Sequence, residues 1–224
     1  MRVDADRLVI DGAAVSGSLT FPGEVRARYE SRLGFRLGGK LVERRVDVGA
    51  VVRKGQVLAR LDAQDASLNA AQAEANRALA EAEAKRYRDL RAKNFVSQAV
   101  LDAKETALKT AQAQAGMARN QAAYTTLIAD RDGVVTAIEA EAGQVVAAGQ
   151  TVVRVAEGGE REIVIAVPES EVEKVRAATG FEVSLNSVPG RSWQGRLREL
   201  APGADAATRT FAARISVAEA DESV

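Results

Sequence analysis

Apolar residues recur at steps of three and four, and once of eight, from Asp65 to Tyr124, a stretch without proline. Ahead of residue 94 they are Leu68, Ala71, Ala75, Leu79, Ala82 and Leu90. Beyond residue 97 they are Leu101, Leu108, Ala111, Ala115, Ala118 and Ala122, with Lys104 filling the remaining place. This is the heptad period of a coiled-coil seam. The one gap, Asn94-Phe95-Val96-Ser97, is short enough to fold two helices back as an antiparallel hairpin. Each arm of about 27 residues is predicted to run roughly 40 Å. The stripes are narrow and mostly alanine, and the other faces are charged. Such a hairpin is solvated on most sides and projects from something else.

Its flanks show another period. Gly39, Gly49 and Gly55 before the hairpin match Gly133, Gly143 and Gly149 after it, each 94 positions on. Val51 and Val52 match Val145 and Val146, Gln56 matches Gln150, and Arg60 matches Arg154. An inner rule of apolar residue, Gly, Val, Gly, apolar residue, three apart, holds at Val46, Gly49, Val52, Gly55, Leu58. It holds again at Ala140, Gly143, Val146, Gly149, Val152. Glycines at these steps supply turns, and the valine-rich runs between them read as short strands. Two interlocking β halves are therefore expected to make one small sandwich, with the hairpin inserted between them.

Outside this duplication lie further strand patterns. Leu8-Val9-Ile10, Val15 and Leu19-Thr20-Phe21 suggest strands near the start. Glu24 to Tyr29 alternates, with Val25, Ala27 and Tyr29 on one face, and Pro22-Gly23 marks a turn or an edge. Beyond residue 160, strands are predicted at 162–167, 181–185, 193–200 and 209–217. Pro168 to Arg176 is a short helix opened by proline and acids. Strands, turns and one short helix suggest a small β-barrel, and the N-terminal strands find partners there. The chain would leave the barrel, make half the sandwich, run up and down the hairpin, finish the sandwich and return.

Composition narrows the chemistry. The chain has 31 lysines and arginines, 31 aspartates and glutamates, and neither cysteine nor histidine. A balanced charge does not point to nucleic acid. Lack of cysteine removes disulfides and thiolate chemistry, and lack of histidine removes the commonest metal ligand and general base. No Gly-x-Ser-x-Gly, phosphate loop or histidine cluster is present, so the chain reads as no enzyme, with no catalytic, cofactor-binding or metal residues. It holds no apolar run of membrane-spanning length, no signal peptide and no lipid-attachment cysteine. Asp62 or Asp65 is placed to cap the first helix, and Ser97 the second. Lys85, Arg86, Arg88, Arg91 and Lys93 crowd the last turns before the gap. The helix dipole favours cations there, and a partner carrying acidic or carbonyl groups would also meet them.

With these residues in hand, nearly the whole chain resembles the periplasmic adaptors, also called membrane fusion proteins or HlyD-like proteins, of tripartite efflux pumps. It is most similar to adaptors of RND (resistance–nodulation–division) transporters. Phe35-Arg36-Leu37-Gly38-Gly39 with Gly55 to Asp62 resembles the family's first lipoyl half-motif. Tyr124 to Ala129 and Asp132-Gly133-Val134-Val135 resemble the start of the second; Asp130 stands where the family usually has proline. Asp205 with Thr208-Arg209-Thr210 resembles the RND branch's barrel signature. At the hairpin tip the family carries an arginine, a leucine four later and a serine seven after that; here they are Arg86, Leu90 and Ser97.

The resemblance implies a mixed α+β, multi-domain, elongated chain. A β-barrel is expected from 17–34 and 157–224, incomplete at its C-terminus. A lipoyl-like sandwich is expected from 35–62 and 126–156, and a coiled-coil hairpin from 63–125. Complete adaptors carry a further membrane-proximal β domain, and some of residues 1–16 are expected to belong to it. The implied role is a periplasmic subunit associated with the inner membrane, the anchor or signal being absent from this chain. It would link an inner-membrane RND transporter to a TolC-type outer-membrane channel. Arg86, Leu90 and Ser97 would dock on that channel, and copies would self-associate, as a hexamer in the assembled pump.

Two other functions are weighed. An adaptor of an ABC-type exporter would share the tip motif, and the Thr208-Arg209-Thr210 segment favours the RND branch. A lipoyl or biotinyl carrier needs an exposed lysine in the tight turn between the two halves. Here the helices take that place, and no lysine occurs between Lys54 and Lys85.

Overall fold

The computed structural model describes the backbone of residues 4–10 and the whole of residues 19–184 and 191–217. Among them the first strands are β1 (Asp4–Ile10), β2 (Leu19–Ala27), β3 (Glu30–Gly34), β4 (Gly39–Arg44), β5 (Val51–Val52) and β6 (Val57–Leu61). Helices α1 (Gln64–Ala92) and α2 (Gln98–Ala123) follow, then β7 (Thr126–Ile128), β8 (Gly133–Ile138), β9 (Val145–Val146) and β10 (Thr151–Ala156). After β11 (Arg161–Pro168) come a 3₁₀ turn (Glu169–Glu171), α3 (Val172–Ala177), β12 (Phe181–Ser184), β13 (Ser192–Leu200) and β14 (Thr210–Val217). The chain divides into two compact units, Met1–Glu30 with Ala156–Val224, and Ser31–Val155.

The first unit is a barrel closed in the order β1-β12-β13-β14-β11-β2. Its neighbours pair antiparallel, and its core includes Phe21, Ile163, Ile165, Phe181, Trp193 and Ile215. Three expectations are corrected here. Residues 4–10 do not belong to a further domain: they form β1, which bonds to β2 and β12 and completes the ring. With that strand present the barrel is not left open, because six strands reaching Val217 close on themselves. Pro22-Gly23 does not interrupt β2. The β1–β2 register shifts between Ala5 and Leu8, opposite the proline, so the irregularity absorbs the missing amide donor. The suggested strand residues Val15 and Leu185 lie outside the described residues.

The second unit holds the duplication. Its sheets run β3-β10-β8-β5 and β7-β6-β4-β9. β3 therefore belongs to the sandwich and not to the barrel, because its ladder partner is β10. The halves exchange equivalent bonds. The Gly49 amide donates to the Val135 carbonyl at 2.8 Å, and the Gly143 amide donates to the Leu41 carbonyl at 2.7 Å. Gly55 to Ala129 and Gly149 to Phe35 repeat the relation, at 2.8 and 2.9 Å. Each donor and each acceptor has its counterpart 94 positions away, so the sandwich has a pseudo-twofold axis. Gly49 and Gly143 have φ of +87° and +98°, a conformation that glycine adopts without strain. The apolar members of the inner rule, Val46, Val52 and Leu58 with Ala140, Val146 and Val152, are all buried in one core. Asp130, at the departure from the family's proline, accepts from the Ser31 hydroxyl at 2.7 Å.

β6 pairs with β7, so the helices fill what would be the connection between those strands. The first helix has Ala63 as its N-cap residue; Asp62 Oδ1 accepts from the Gln64 amide at 3.1 Å, and Asp65 lies in the first turn. In α2 the expected seam is the buried or half-buried face, with Leu101, Leu108, Ala115 and Ala118 most covered. In α1 it is not. Leu68 and Leu79 are each 62% exposed, and Ala71, Ala75 and Ala82 are exposed too. The covered stripe is Ala66, Ala70, Ala73, Arg77, Ala80, Ala84, Tyr87 and Arg91, which keeps a strict alternation of fours and threes. Alanines populate both stripes, so the two leucines drew the reading to the wrong one. The aliphatic stems of Arg77 and Arg91 serve as seam residues.

Candidate functional site

The hairpin tip is built by two terminators in succession. Lys93 is the C-cap of α1, and Asn94 follows with φ of +61°, a left-handed turn that asparagine tolerates. The Phe95 amide donates to the Leu90 carbonyl at 2.9 Å and the Asn94 amide to the Arg91 carbonyl at 2.9 Å. Those two bonds define a Schellman motif and satisfy carbonyls that the helix leaves free. Arg91 Nη1 donates to Asn94 Oδ1 at 3.1 Å, and Arg91 Nε to Gln98 Oε1 at 3.3 Å, which ties the end of α1 to the start of α2. Ser97 is the N-cap of α2: its hydroxyl accepts from the Val100 amide at 3.4 Å.

All three expected tip residues lie in this region. Arg86 is exposed one turn before half-buried Leu90, and Ser97 opens the second helix with its side chain exposed. The basic cluster separates into two kinds. Arg88 Nε donates to Glu105 Oε1 at 2.7 Å, and Arg91 holds the turn, so both serve the hairpin itself. Lys85, Arg86 and Lys93 make no ion pair among the described residues and point their charge outward. Sequence reasoning treated Phe95 only as part of the gap. It is 72% exposed at the turn, and its signal was an aromatic side chain in an otherwise polar loop. Guanidinium and hydroxyl donors beside exposed apolar groups suit docking on a protein surface.

Below the tip the helices are held by charge. Lys104 Nζ donates to Glu83 Oε2 at 2.8 Å and lies over the Tyr87 ring at 5.2 Å. That bond holds the Glu83 carboxyl below the usual glutamate range and raises the Lys104 ammonium. Arg119 Nη2 reaches Glu74 Oε2 at 3.1 Å. Glu74 is held low as well, chiefly by its bond from Arg77.

In the barrel, the Asp205 segment is a loop-shaping device. Asp205 Oδ1 accepts from the amides of Ala207 and Thr208 at 2.9 and 3.0 Å and from the Thr208 hydroxyl at 3.1 Å. The Thr208 and Thr210 hydroxyls bond at 2.8 Å, and Arg209 between them has φ of +54°. Thr208 and Ala207 hold the Asp205 carboxyl below the usual aspartate range. No helix of the described residues is long and apolar enough to cross a membrane.

The comparisons with known proteins fit this architecture. Residues 163–224 match the family model of the CusB-like β-barrel domain. The chain is 28% identical over 210 residues to nodulation protein NolF of Rhizobium meliloti (strain 1021), covering 87% of this chain and 57% of that protein. It is 35% identical over 99 residues to the cation efflux system protein CusB of Escherichia coli (strain K12), covering 44% of this chain and 24% of that protein. A solved MacA–MexA chimera containing the Pseudomonas aeruginosa MexA α-hairpin domain superimposes with a TM-score of 0.76 at 20% identity. That match covers 96% of this chain and 79% of the other. The chain is thus similar in sequence to these two proteins and in fold to the solved chimera. It spans about half the length of NolF and a quarter of CusB.

Proposed function

We propose that this chain is a periplasmic adaptor that links an inner-membrane RND transporter to a TolC-type outer-membrane channel, with the hairpin tip docking on the channel. The observation that carries the reading is the tip: Arg86 without an ion-pair partner among the described residues, half-buried Leu90, and Ser97, at the end of a hairpin of two helices. The RND branch is favoured by the Asp205 and Thr208-Arg209-Thr210 loop. Work would come from the transporter, and the adaptor would act at the periplasmic side of the inner membrane as a rigid coupler.

The uncovered side of α1 supports self-association. Leu68, Ala71, Ala75, Leu79 and Ala82 form an apolar stripe that the partner helix leaves uncovered. A neighbouring copy in a ring, six in the family's pattern, would cover it. Export assays test the docking proposal. Leu90→Asp is expected to abolish export while expression and helical circular dichroism stay at the parent level. Export at the parent level would exclude a docking role for the tip.

A further inference from the structure

The outer wall of the barrel neutralises most of its own charge. Glu162 on β11 is 2% exposed, and its two oxygens take Arg198 Nη2 at 2.7 Å and Arg214 Nη1 at 2.6 Å. Glu199 also reaches Arg214 Nε at 3.6 Å, and Arg26 pairs with Glu24 at 2.7 Å. At one end of the barrel the pattern breaks. A cleft of about 760 Å³ is lined by Arg28, Glu160, Arg161, Thr179, Gln194 and Arg196. These positions come from four strands or their ends, β2, β11, β12 and β13, with Arg196 opposite Ser216 on β14 and Arg161 opposite Ala27 on β2. Three guanidinium groups face one carboxylate. Glu160 pairs with Arg28, yet Arg28 Nε is buried without a hydrogen-bond partner. Arg161 and Arg196 have no ion-pair partner among the described residues.

We propose that this cleft is a docking site for an acidic segment of a partner polypeptide, whose aspartate or glutamate carboxylates pair with Arg161 and Arg196. A guanidinium takes a carboxylate through two parallel N–H donors, and two free forks in one cleft suit two carboxylates on neighbouring residues. Gln194 and Thr179 add neutral donors at the rim. The volume exceeds that of a single inorganic anion and fits several side chains. Assignment to a polypeptide rests on the adaptor reading, in which the barrel unit meets protein partners. The site itself rests only on the unpaired arginines.

The test is fluorescence anisotropy of a labelled peptide of alternating aspartate and glutamate, titrated with the intact chain. An isosteric asparagine–glutamine peptide, inorganic phosphate and phosphatidylglycerol vesicles serve as the other probes. The acidic peptide is expected to bind, to weaken as salt rises, and to lose at least tenfold in affinity with Arg161→Gln and Arg196→Gln combined. Arg53→Gln with Lys54→Gln removes the same charge from the other unit and is expected to leave binding unchanged. The fluorescence of Trp193, the one tryptophan of the chain, reports whether each variant keeps the barrel. No binding, or equal binding by the parent and the Arg161/Arg196 variant, overturns the site. Vesicle binding that depends on the same arginines, without peptide binding, overturns the polypeptide partner and assigns the cleft to phosphate headgroups. A failed peptide titration with intact hairpin-tip crosslinking would reject this site alone and leave the adaptor reading standing.

Discussion

Lys104 on α2 and Glu83 on α1 meet at 2.8 Å across the hairpin, with the lysine stem in the seam and its ammonium over Tyr87. A cation at a heptad position is therefore part of how the arms find their register, and it separates true seam residues from false ones. Leu108, close by on α2, is 7% exposed, whereas Leu79 on α1 is 62% exposed. Leu108→Ala is expected to cost about 2–3 kcal/mol, toward the low end for a buried leucine because the seam is narrow. Leu79→Ala is expected to fall within about 0.5 kcal/mol of the parent, as an exposed substitution does. Thermal unfolding followed by helical circular dichroism checks both, and equal losses would mean that the two faces of α1 are exchanged. In crosslinking of assembled copies, Leu79→Asp is expected to weaken self-association instead.

Acid should loosen the same hairpin. Glu83 and Glu74 have folded-state carboxyls below their ordinary range, held there first by the bonds from Lys104 and Arg77. A depressed carboxyl contributes stability above its unfolded value, and that contribution is lost as pH falls through the folded one. The hairpin is thus expected to keep its full ion-pair contribution at neutral pH and to lose it below about pH 4. Glu83→Gln with Glu74→Gln should flatten the acid limb of a melting-temperature profile. An unchanged acid limb would show that these pairs contribute nothing measurable.

The hydroxyl of Ser97 offers a way to separate structure from docking. Ser97→Ala removes the acceptor for the Val100 amide and is expected to cost about 1 kcal/mol of helix stability. Ser97→Asp keeps an N-cap acceptor, so helix stability is expected to stay within about 0.5 kcal/mol of the parent. If the serine also touches the channel, Ser97→Asp should impair export in spite of a sound hairpin. Normal export with Ser97→Asp would leave the residue only its capping role.

The pseudo-twofold sandwich predicts matched penalties. A Cβ added at Gly49 or Gly143 meets nothing within 4 Å, so only the positive φ opposes it. Gly49→Ala and Gly143→Ala are each expected to cost about 1–2 kcal/mol. Their denaturation midpoints should agree closely, and a large difference would show that the halves do not share the load.

In the barrel, Glu162 is buried between Arg198 and Arg214. Glu162→Gln keeps the shape and removes the charge, and is expected to lower stability by about 1–3 kcal/mol. Chemical denaturation monitored by Trp193 fluorescence is the measurement. A neutral result would mean that burying the carboxylate already cancels its two bonds.

The sandwich was the most legible part of the chain because its duplication writes each constraint twice. Val52 and Val146 sit between matched glycines, and both are buried. The tip was legible through Leu90 and Ser97, whose spacing spans one helix end and the next helix start. The α1 face was not, because Ala71, Ala75 and Ala82 read as a seam as well as Ala70, Ala73 and Ala84 do. Only the partner helix decides between them. The role of β1 was hidden as well, since closing a barrel depends on pairing with β12, more than 170 residues away, which no local pattern records. That Arg161 and Arg196 have no ion-pair partner among the described residues is invisible in a sequence where positive and negative residues balance.

Crosslinking in living cells would decide the adaptor reading. Leu90→Cys or Ser97→Cys in the full-length protein would be paired with single cysteines at the tip of the candidate outer-membrane channel; the chain has no cysteine of its own to confuse the result. A specific crosslink that weakens when Arg86 is replaced by alanine is the predicted outcome. A hairpin that folds normally yet crosslinks to no channel would contradict it, and would turn attention to a partner at the transporter alone.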